Sequence, residues 1–337
     1  MNEVINLDDC CLSRKNGMYG GAAGSKEGII YNGEYWMIKY PKNIAGLERT
    51  GDASYSTTPL SEYLGSHIYG ILGFDVHNTI LAERHGKIAV ACKDFAIEDD
   101  LIEIRTIKNY ENEELTEILG QSFSSTGSEH AVDLNELLLH LKYNKILNQV
   151  NGIQERFWEQ AVVDIFINNN DRNNGNWGIL RNQKGEDRLA PVFDNGGSFQ
   201  TKISEQKIAR ILSDSELLEK NSTNTQTTYG ENGHVYSSQR FLNLYKTEPG
   251  LSAAILKIVP RIEKSMNSIL QFIESIPEVY HGVNKNYMIC SEDRKELYSA
   301  QLKARLKNML LPYYDKAKSL ETKQIEQNDF VRRRRIR

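Results

Sequence analysis

The sequence predicts an α+β chain in two parts, a strand-rich segment of about a hundred residues followed by a larger helical one. Three observations carry this. Period-two apolar runs and hairpin turn pairs fill residues 1–96. Helical periodicity dominates beyond residue 97. The length of 337 residues is suited to about two compact units. The expected boundaries are 1–96, 97–321 and a basic, disordered tail at 322–337.

Gly17, Gly20, Gly21 and Gly24 crowd one loop, and Gly28-Ile29-Ile30-Tyr31 then resumes an extended pattern. Asn32-Gly33 is a strong two-residue hairpin signal, because both positions favour positive φ. Tyr35 to Tyr40 is the returning strand, stopped by Pro41. Residues 43–58 are small and polar and read as a mobile loop. Pro59 opens a helix with Leu60, Tyr63, Leu64, His67, Ile68 and Ile71 at helical spacing. Ile80–Arg84, His85-Gly86 and Lys87–Cys92 form a second hairpin. Leu134 to Ile146, Phe157 to Phe166, residues 251–275 and residues 294–311 are amphipathic helices.

The chemistry concentrates after the helix ending at Phe166. Asn168-Asn169-Asn170-Asp171-Arg172-Asn173-Asn174-Gly175-Asn176-Trp177 is a polar turn with Asp171 and Asn176 five apart. That is the D-x-x-x-x-N spacing of a kinase catalytic loop. An aspartate there accepts a proton from the attacking hydroxyl, and the asparagine faces a metal beside the transferring phosphate. Strands 176–181 and 189–194, folded about Gly185, are expected to set Asn176 beside Asp194 at the open end of a hairpin. An amide oxygen beside a carboxylate suits Mg²⁺, which takes few protein oxygens. An Asn/Asp-rich loop also reads as an ordinary turn, but that reading does not account for Asp194.

Lys39 ends an apolar strand, where a lysine holds the α- and β-phosphates of ATP or simply faces water on an edge. Glu62, in the first turn of the next helix, is its natural ion-pair partner. The glycines from Gly17 to Gly24 let backbone amides approach phosphates, or make a flexible loop. Cys92-Lys93-Asp94-Phe95 falls where a hinge would bind adenine.

On Asn-x-Asp171-Arg172-x-x-x-Asn176-Trp177 and Leu-Ala-Pro-x-x-Asp194, the chain resembles the HipA-like serine/threonine protein kinases from about Gly20 to about residue 310. The resemblance implies a protein-kinase-like fold, ATP and Mg²⁺ as cofactors, and autophosphorylation. It implies Asp171 as catalytic base, Asn176 and Asp194 as metal ligands and Lys39 as ATP contact. It places hinge contacts at Lys93 and Phe95 and phosphate contacts at Gly21, Gly24 and Lys26. The second metal motif departs from the protein-kinase pattern, reading Asp194-Asn195-Gly196-Gly197 with no phenylalanine. The chain is shorter than the bacterial toxin form, so an antitoxin partner is not implied. Ser25 and the tract Ser222 to Thr228 are the expected phosphate acceptors. Rival readings are a phosphoinositide or aminoglycoside-like kinase on the same fold, and an adaptor pseudokinase.

Net charge is −4, yet five of the 41 basic residues lie among the last six, Arg332 to Arg337, so the remainder is distinctly acidic. An acidic body carries no nucleic-acid footprint. The arginines are either a solvated, disordered end or a contact for an import receptor. No apolar run approaches the ~18 residues of a membrane span. The polar start is unlike a signal peptide, and Cys10, Cys11, Cys92 and Cys290 lack metal spacing. The protein is therefore expected in a reducing cytoplasm, with a protein substrate and no membrane partner. Export, or nuclear import through the tail, is compatible with this.

Overall fold

The structure is a computed structural model that describes residues 3–19, 25–43, 56–123 and 131–335, with side chains defined as far as residue 324 and at residue 326. Gly21 and Gly24, most of the loop expected at 43–58, and Ile336 and Arg337 lie outside the described residues.

The first part is one five-stranded sheet with a helix on it. Strands β1 (Ile5–Asn6), β2 (Lys26–Tyr31), β3 (Glu34–Lys39), β4 (Thr79–Arg84) and β5 (Lys87–Lys93) lie in the order β1-β4-β5-β3-β2. All neighbours are antiparallel except β1 with β4. Both sequence-predicted turns close the hairpins, with Asn32 and Gly33 at φ 51° and 78° and His85 and Gly86 at 52° and 68°. Helix α1 (Thr58–Ile71) begins with a proline in its first turn. It covers the sheet with Leu60, Leu64 and Ile68, all buried against Leu81, Val90 and Cys92. The opposite face has its own small core of Leu7, Ile29, Trp36 and Ile38.

The second part is mainly helical: α2 (Ile104–Leu119), α3 (Leu134–Tyr143), α4 (Ile153–Ile167), α5 (Glu205–Leu212), α6 (Ser215–Thr223), α7 (Ser238–Leu242), α8 (Pro249–Glu274), α9 (Glu292–Arg305) and α10 (Leu311–Arg335). Three short ladders interrupt the helices. These are β6 (Asp100–Glu103) with β8 (Gly178–Arg181) and β9 (Asp187–Leu189); β7 (Val132–Asp133) with β10 (Gln226–Glu231) and β11 (His234–Ser237); and β12 (Val279–His281) with β13 (Asn286–Met288). Helix α4 is buried on nearly every side, its Phe157, Val162, Val163 and Phe166 packing into one core with Ile255, Ile258 and Val259 of α8. The architecture is the expected α+β class, strand-rich first and helical after. Among the described residues no helix is long and apolar enough to cross a membrane.

Two expectations fail here. The segment from residue 322 is not structureless: α10 runs to Arg335. Its Lys, Glu, Gln and Arg residues are strong helix formers, which charge composition alone conceals. The acceptor tract at 222–228 is not an exposed loop either. Ser222, Thr225, Thr227 and Thr228 are buried, and only Thr223 among its hydroxyl residues is half-exposed. Their hydroxyls are spent internally: Ser222 Oγ donates to the Leu218 carbonyl, Thr227 Oγ1 to that of Tyr229, and Thr225 Oγ1 pairs with Ser238 Oγ.

Candidate active site

The site begins where α4 stops. Asn168 takes the left-handed conformation at φ 54°, caps the helix and turns the chain out of it. Asp164, on the last full turn of α4, stays inside and gathers donors. It accepts from Tyr69 Oη at 2.8 Å, Asn169 Nδ2 at 3.1 Å and Arg172 Nε at 2.9 Å. Arg172 is therefore a buried guanidinium, 1% exposed, facing a carboxylate. Burial alone would lower its pKa, but Asp164 outweighs that and holds it above the usual arginine value.

The remaining arginine nitrogens build the loop. Nη1 donates to the Asn176 carbonyl at 2.8 Å, to the Phe193 carbonyl, and at 3.4 Å to that of Asp194. Nη2 reaches Asn195 Oδ1 at 2.5 Å. The Asn176 and Asp194 carbonyls thus share one guanidinium, and the hairpin is not what joins them. The β8–β9 register pairs Ile179 with Leu189 and Arg181 with Asp187, so its axis is one residue earlier than the expected Gly185. Pairing ends with the Ala190 N–H on the Gly178 carbonyl at 3.1 Å, and Val192 instead bridges to Val76 beside α1. Pro191 has no N–H to extend a ladder.

Three elements then converge on Lys39. From the end of β3, its Nζ lies 2.8 Å from Glu62 Oε2 on α1 and 2.8 Å from Asp194 Oδ1. Burial alone would lower the lysine pKa, but the carboxylates of Asp194 and Glu62 hold it well above the ordinary value. Burial would likewise raise Glu62, yet Lys39 and His77 keep it well below the carboxylate range. Glu62 Oε1 accepts from the Asn195 N–H at 2.9 Å and faces His77 Nε2 at 3.0 Å. Lys26 is the cross-strand partner of Lys39 and shares its face of the sheet. Its pKa is lowered by burial first and by the nearby Lys39 charge second.

Asp171 stands on the same loop. Its Oδ1 accepts from Asn173 Nδ2 at 3.1 Å, and its backbone N–H donates to Asn169 Oδ1 at 3.2 Å. Asn176 Nδ2 donates to the Asp171 carbonyl at 2.5 Å, which fixes the amide. No described residue donates to Asn176 Oδ1 or to Asp194 Oδ2, and the Asp194 side chain is 34% exposed. A hard divalent cation fits this pair of open oxygens, and Asn176 and Asp194 are the residues that would hold it. Gly197 seats the loop, since a Cβ there would lie 2.7 Å from Asp171 Cβ.

At the hinge, the Lys93 N–H donates to the Asn78 carbonyl at 2.8 Å, and Lys93 Nζ pairs outward with Glu34, which leaves the carbonyl as the Lys93 group for a base. The ring of Phe95 packs 5.6 Å from that of Phe193, directly before Asp194. Lys15 Nζ and Tyr19 Oη both bind Asp94, tying the approach to the glycine segment to the hinge. No signal in the sequence points to His77, Ser66 or Asn195. Asn195 Nδ2 donates to Ser66 Oγ at 2.9 Å, so it links α1 to Arg172 where an aromatic was looked for.

A strand lysine paired to a helix glutamate and to an aspartate beyond a loop of Asp-x-x-x-x-Asn spacing defines a phosphotransferase of the kinase type. No protein-family model matches the chain. It is, however, similar to the serine/threonine-protein kinase CtkA of Helicobacter pylori, with 29% identity covering 97% of this chain and 93% of that one. The crystal structure of the Helicobacter pylori proinflammatory kinase CtkA superposes with a TM-score of 0.77, at 28% identity over 94% of this chain and 99% of the other. HipA of Shewanella oneidensis, solved with HipB and operator DNA, shares the fold at a TM-score of 0.50 and 13% identity, over 88% of this chain and 67% of its own. The chain is thus similar, in sequence and in fold, to a serine/threonine-protein kinase.

Proposed function

We propose that this chain transfers the γ-phosphoryl group of ATP, with Mg²⁺, to a serine or threonine hydroxyl of a protein, itself included. The observation that carries the reading is Lys39 Nζ at 2.8 Å from both Glu62 and Asp194. One ammonium there ties a strand, a helix and the second metal motif into a single cleft, the part that anchors nucleotide phosphates in kinases.

In this reading Asp171 orients the acceptor hydroxyl and takes its proton. Asn176 and Asp194 hold the ion, which when bound neutralises charge on the phosphates. Lys39 and Lys26 bind phosphate oxygens, with backbone amides near Gly21 and Gly24 adding to them. Adenine rests on the 94–96 segment against Phe95. Glu62 keeps Lys39 extended into the cleft. Of the two acceptors expected from the sequence, Ser25 suits the reading, since it adjoins Lys26 and the other tract is buried.

The test is an autokinase assay with labelled ATP and no lipid or drug, with and without Mg²⁺. The native chain should label itself only with the metal, and Asp194→Ala should be inactive. Asp171→Asn should lose about 10²–10⁴-fold in rate while still binding ATP, the usual worth of a positioned base. Unchanged labelling by Asp171→Asn refutes the base assignment, and a chain that labels only a small molecule refutes the substrate class.

A further inference from the structure

Behind the Lys39–Glu62 pair lies a cluster of ligand atoms in which phosphotransfer uses the Glu62 side chain alone. Glu62, His77 and Cys92 are 0%, 4% and 1% exposed. One ligand atom from each lies within 4.8 Å of the other two. They come from three separate segments: α1, the connection between α1 and β4, and β5. Each backbone is fixed. The His77 N–H donates to the Val192 carbonyl at 3.1 Å, and Cys92 sits mid-sheet between Thr79 and Met37. His77 Nε2 lies 3.0 Å from Glu62 Oε1, while no described residue hydrogen-bonds the Cys92 thiol.

We propose that Glu62, His77 and Cys92 form a binding site for Zn²⁺ or a similar borderline-soft cation, and that filling it shuts the kinase off. One carboxylate oxygen, one imidazole nitrogen and one thiolate are the donors such ions select, at about 2.0–2.3 Å each. Ligand atoms in a tetrahedral shell of that size lie about 3–4 Å apart, so side-chain rotation alone closes the present cluster. Three protein ligands leave a fourth position for water. Magnesium, which demands oxygens, is not drawn to the nitrogen and sulfur. The cleft therefore carries two cation sites of different chemistry, the second reached past Lys39.

Binding is a proton exchange. Cys92 loses its thiol proton to solvent and forms the sulfur–metal bond. His77 binds through the Nε2 lone pair, as the neutral imidazole with its one proton on Nδ1, and that nitrogen gives up its 3.0 Å contacts with Glu62 Oε1 and Ser66 Oγ. Burial raises the Cys92 thiol well above its ordinary value, so a cation is needed to expel that proton. A dipositive ion on Glu62 repels the Lys39 ammonium and competes with the Asn195 N–H for Oε1. The inhibition rests on the phosphotransfer reading, whereas the binding does not.

The experiment uses the untagged full chain with Cys10, Cys11 and Cys290 changed to Ser, free of magnesium and nucleotide. Titration with Co²⁺ should load one ion per chain and raise a thiolate-to-cobalt charge-transfer band, both lost on adding Cys92→Ser. Absence of the band in the parent, or its survival in Cys92→Ser, overturns the site. X-ray absorption of the zinc-loaded parent gives an answer that needs no variant: one sulfur with nitrogen and oxygen neighbours is expected, and a shell without sulfur refutes it. With Mg-ATP saturating, equimolar Zn²⁺ should slow autokinase activity at least tenfold in the parent and less than twofold in Cys92→Ser. Equal activity with and without bound zinc overturns the inhibition. A parent that binds cobalt but never transfers phosphate leaves the site standing and removes the kinase reading instead.

Discussion

Arg172 does with one side chain what a longer ladder would otherwise do. It is charge-paired to Asp164 on α4 and donates to carbonyls on both sides of the metal cleft. Truncating it to Met leaves Asp164 buried without its counter-ion, which costs about 3–5 kcal/mol. At roughly 2–4 °C per kcal/mol for a chain of this size, melting should fall by about 6–20 °C. A thermal denaturation curve of Arg172→Met checks this, and an unchanged midpoint would show the arginine to be dispensable. Glu62 gives a pH prediction. Its folded pKa is depressed, so its contribution is complete above the ordinary 4.5 and is lost as pH falls below it. Lys39, raised above 10.5, loses its contribution only on the alkaline side, so the two are charged together between. The native chain should thus lose stability more steeply than Glu62→Gln from pH 5 to pH 3, measured as melting temperature against pH.

At the scale of elements, the Gly196-Gly197 step lets the segment after Asp194 pass between α1 and the catalytic loop. A Cβ at Gly197 would meet Asn169 Oδ1 and Asp171 Cβ at 2.7 Å, and one at Gly196 would meet Thr58 Cγ2 at 2.9 Å. Gly197→Ala should lower kcat at least tenfold with a smaller change in melting, because misplacing a catalytic group by about 1 Å suffices. Steady-state kinetics beside a melting curve separate the two effects. The elements themselves were legible to different degrees. Asn32-Gly33, His85-Gly86 and Pro59 each carry local backbone information, so the sheet and α1 could be read directly. The strands β6 and β7 are only four and two residues long and pair with β8 and β10, distant in sequence, so periodicity does not register them, whereas the local β8–β9 pair was legible. The loop motif was visible in Asp171 and Asn176, and Lys39 with Glu62 followed from strand and helix order. His77, Ser66 and Asn195 were not visible, because their roles arise from contacts across 11, 133 and 129 positions of chain. The threonines at 225–228 misled for the opposite reason: their polarity is satisfied inside the protein.

Over the whole molecule, the cleft lies between parts that also share one core, where α1 packs with α4 and α8. The Lys39–Asp194 pair, the Tyr69–Asp164 bond, the Val76–Val192 bridge and the Arg261 Nη1 bond to the Leu72 carbonyl at 2.9 Å all cross from the first hundred residues to the rest. A ligand bound between them should stabilise the folded chain as a unit. Mg-ATP at about a hundred times its Kd is worth about 2.7 kcal/mol. Melting should therefore rise by several degrees with the pair present and return to baseline when EDTA removes the metal, as scanning fluorimetry would record. No rise with the native chain would mean that nucleotide is held by one side alone.

Asp194 has a further property besides its charge: its backbone sits at φ 57°. Few side chains tolerate that handedness, and Asn, Asp and Gly are the ones that do so at small cost. A library of replacements at this position would consequently sort first by torsional tolerance and only then by electrostatics. Asp194→Asn keeps the twist and discards the carboxylate, and so isolates the ion-binding contribution, whereas any branched residue would report a bent chain as well.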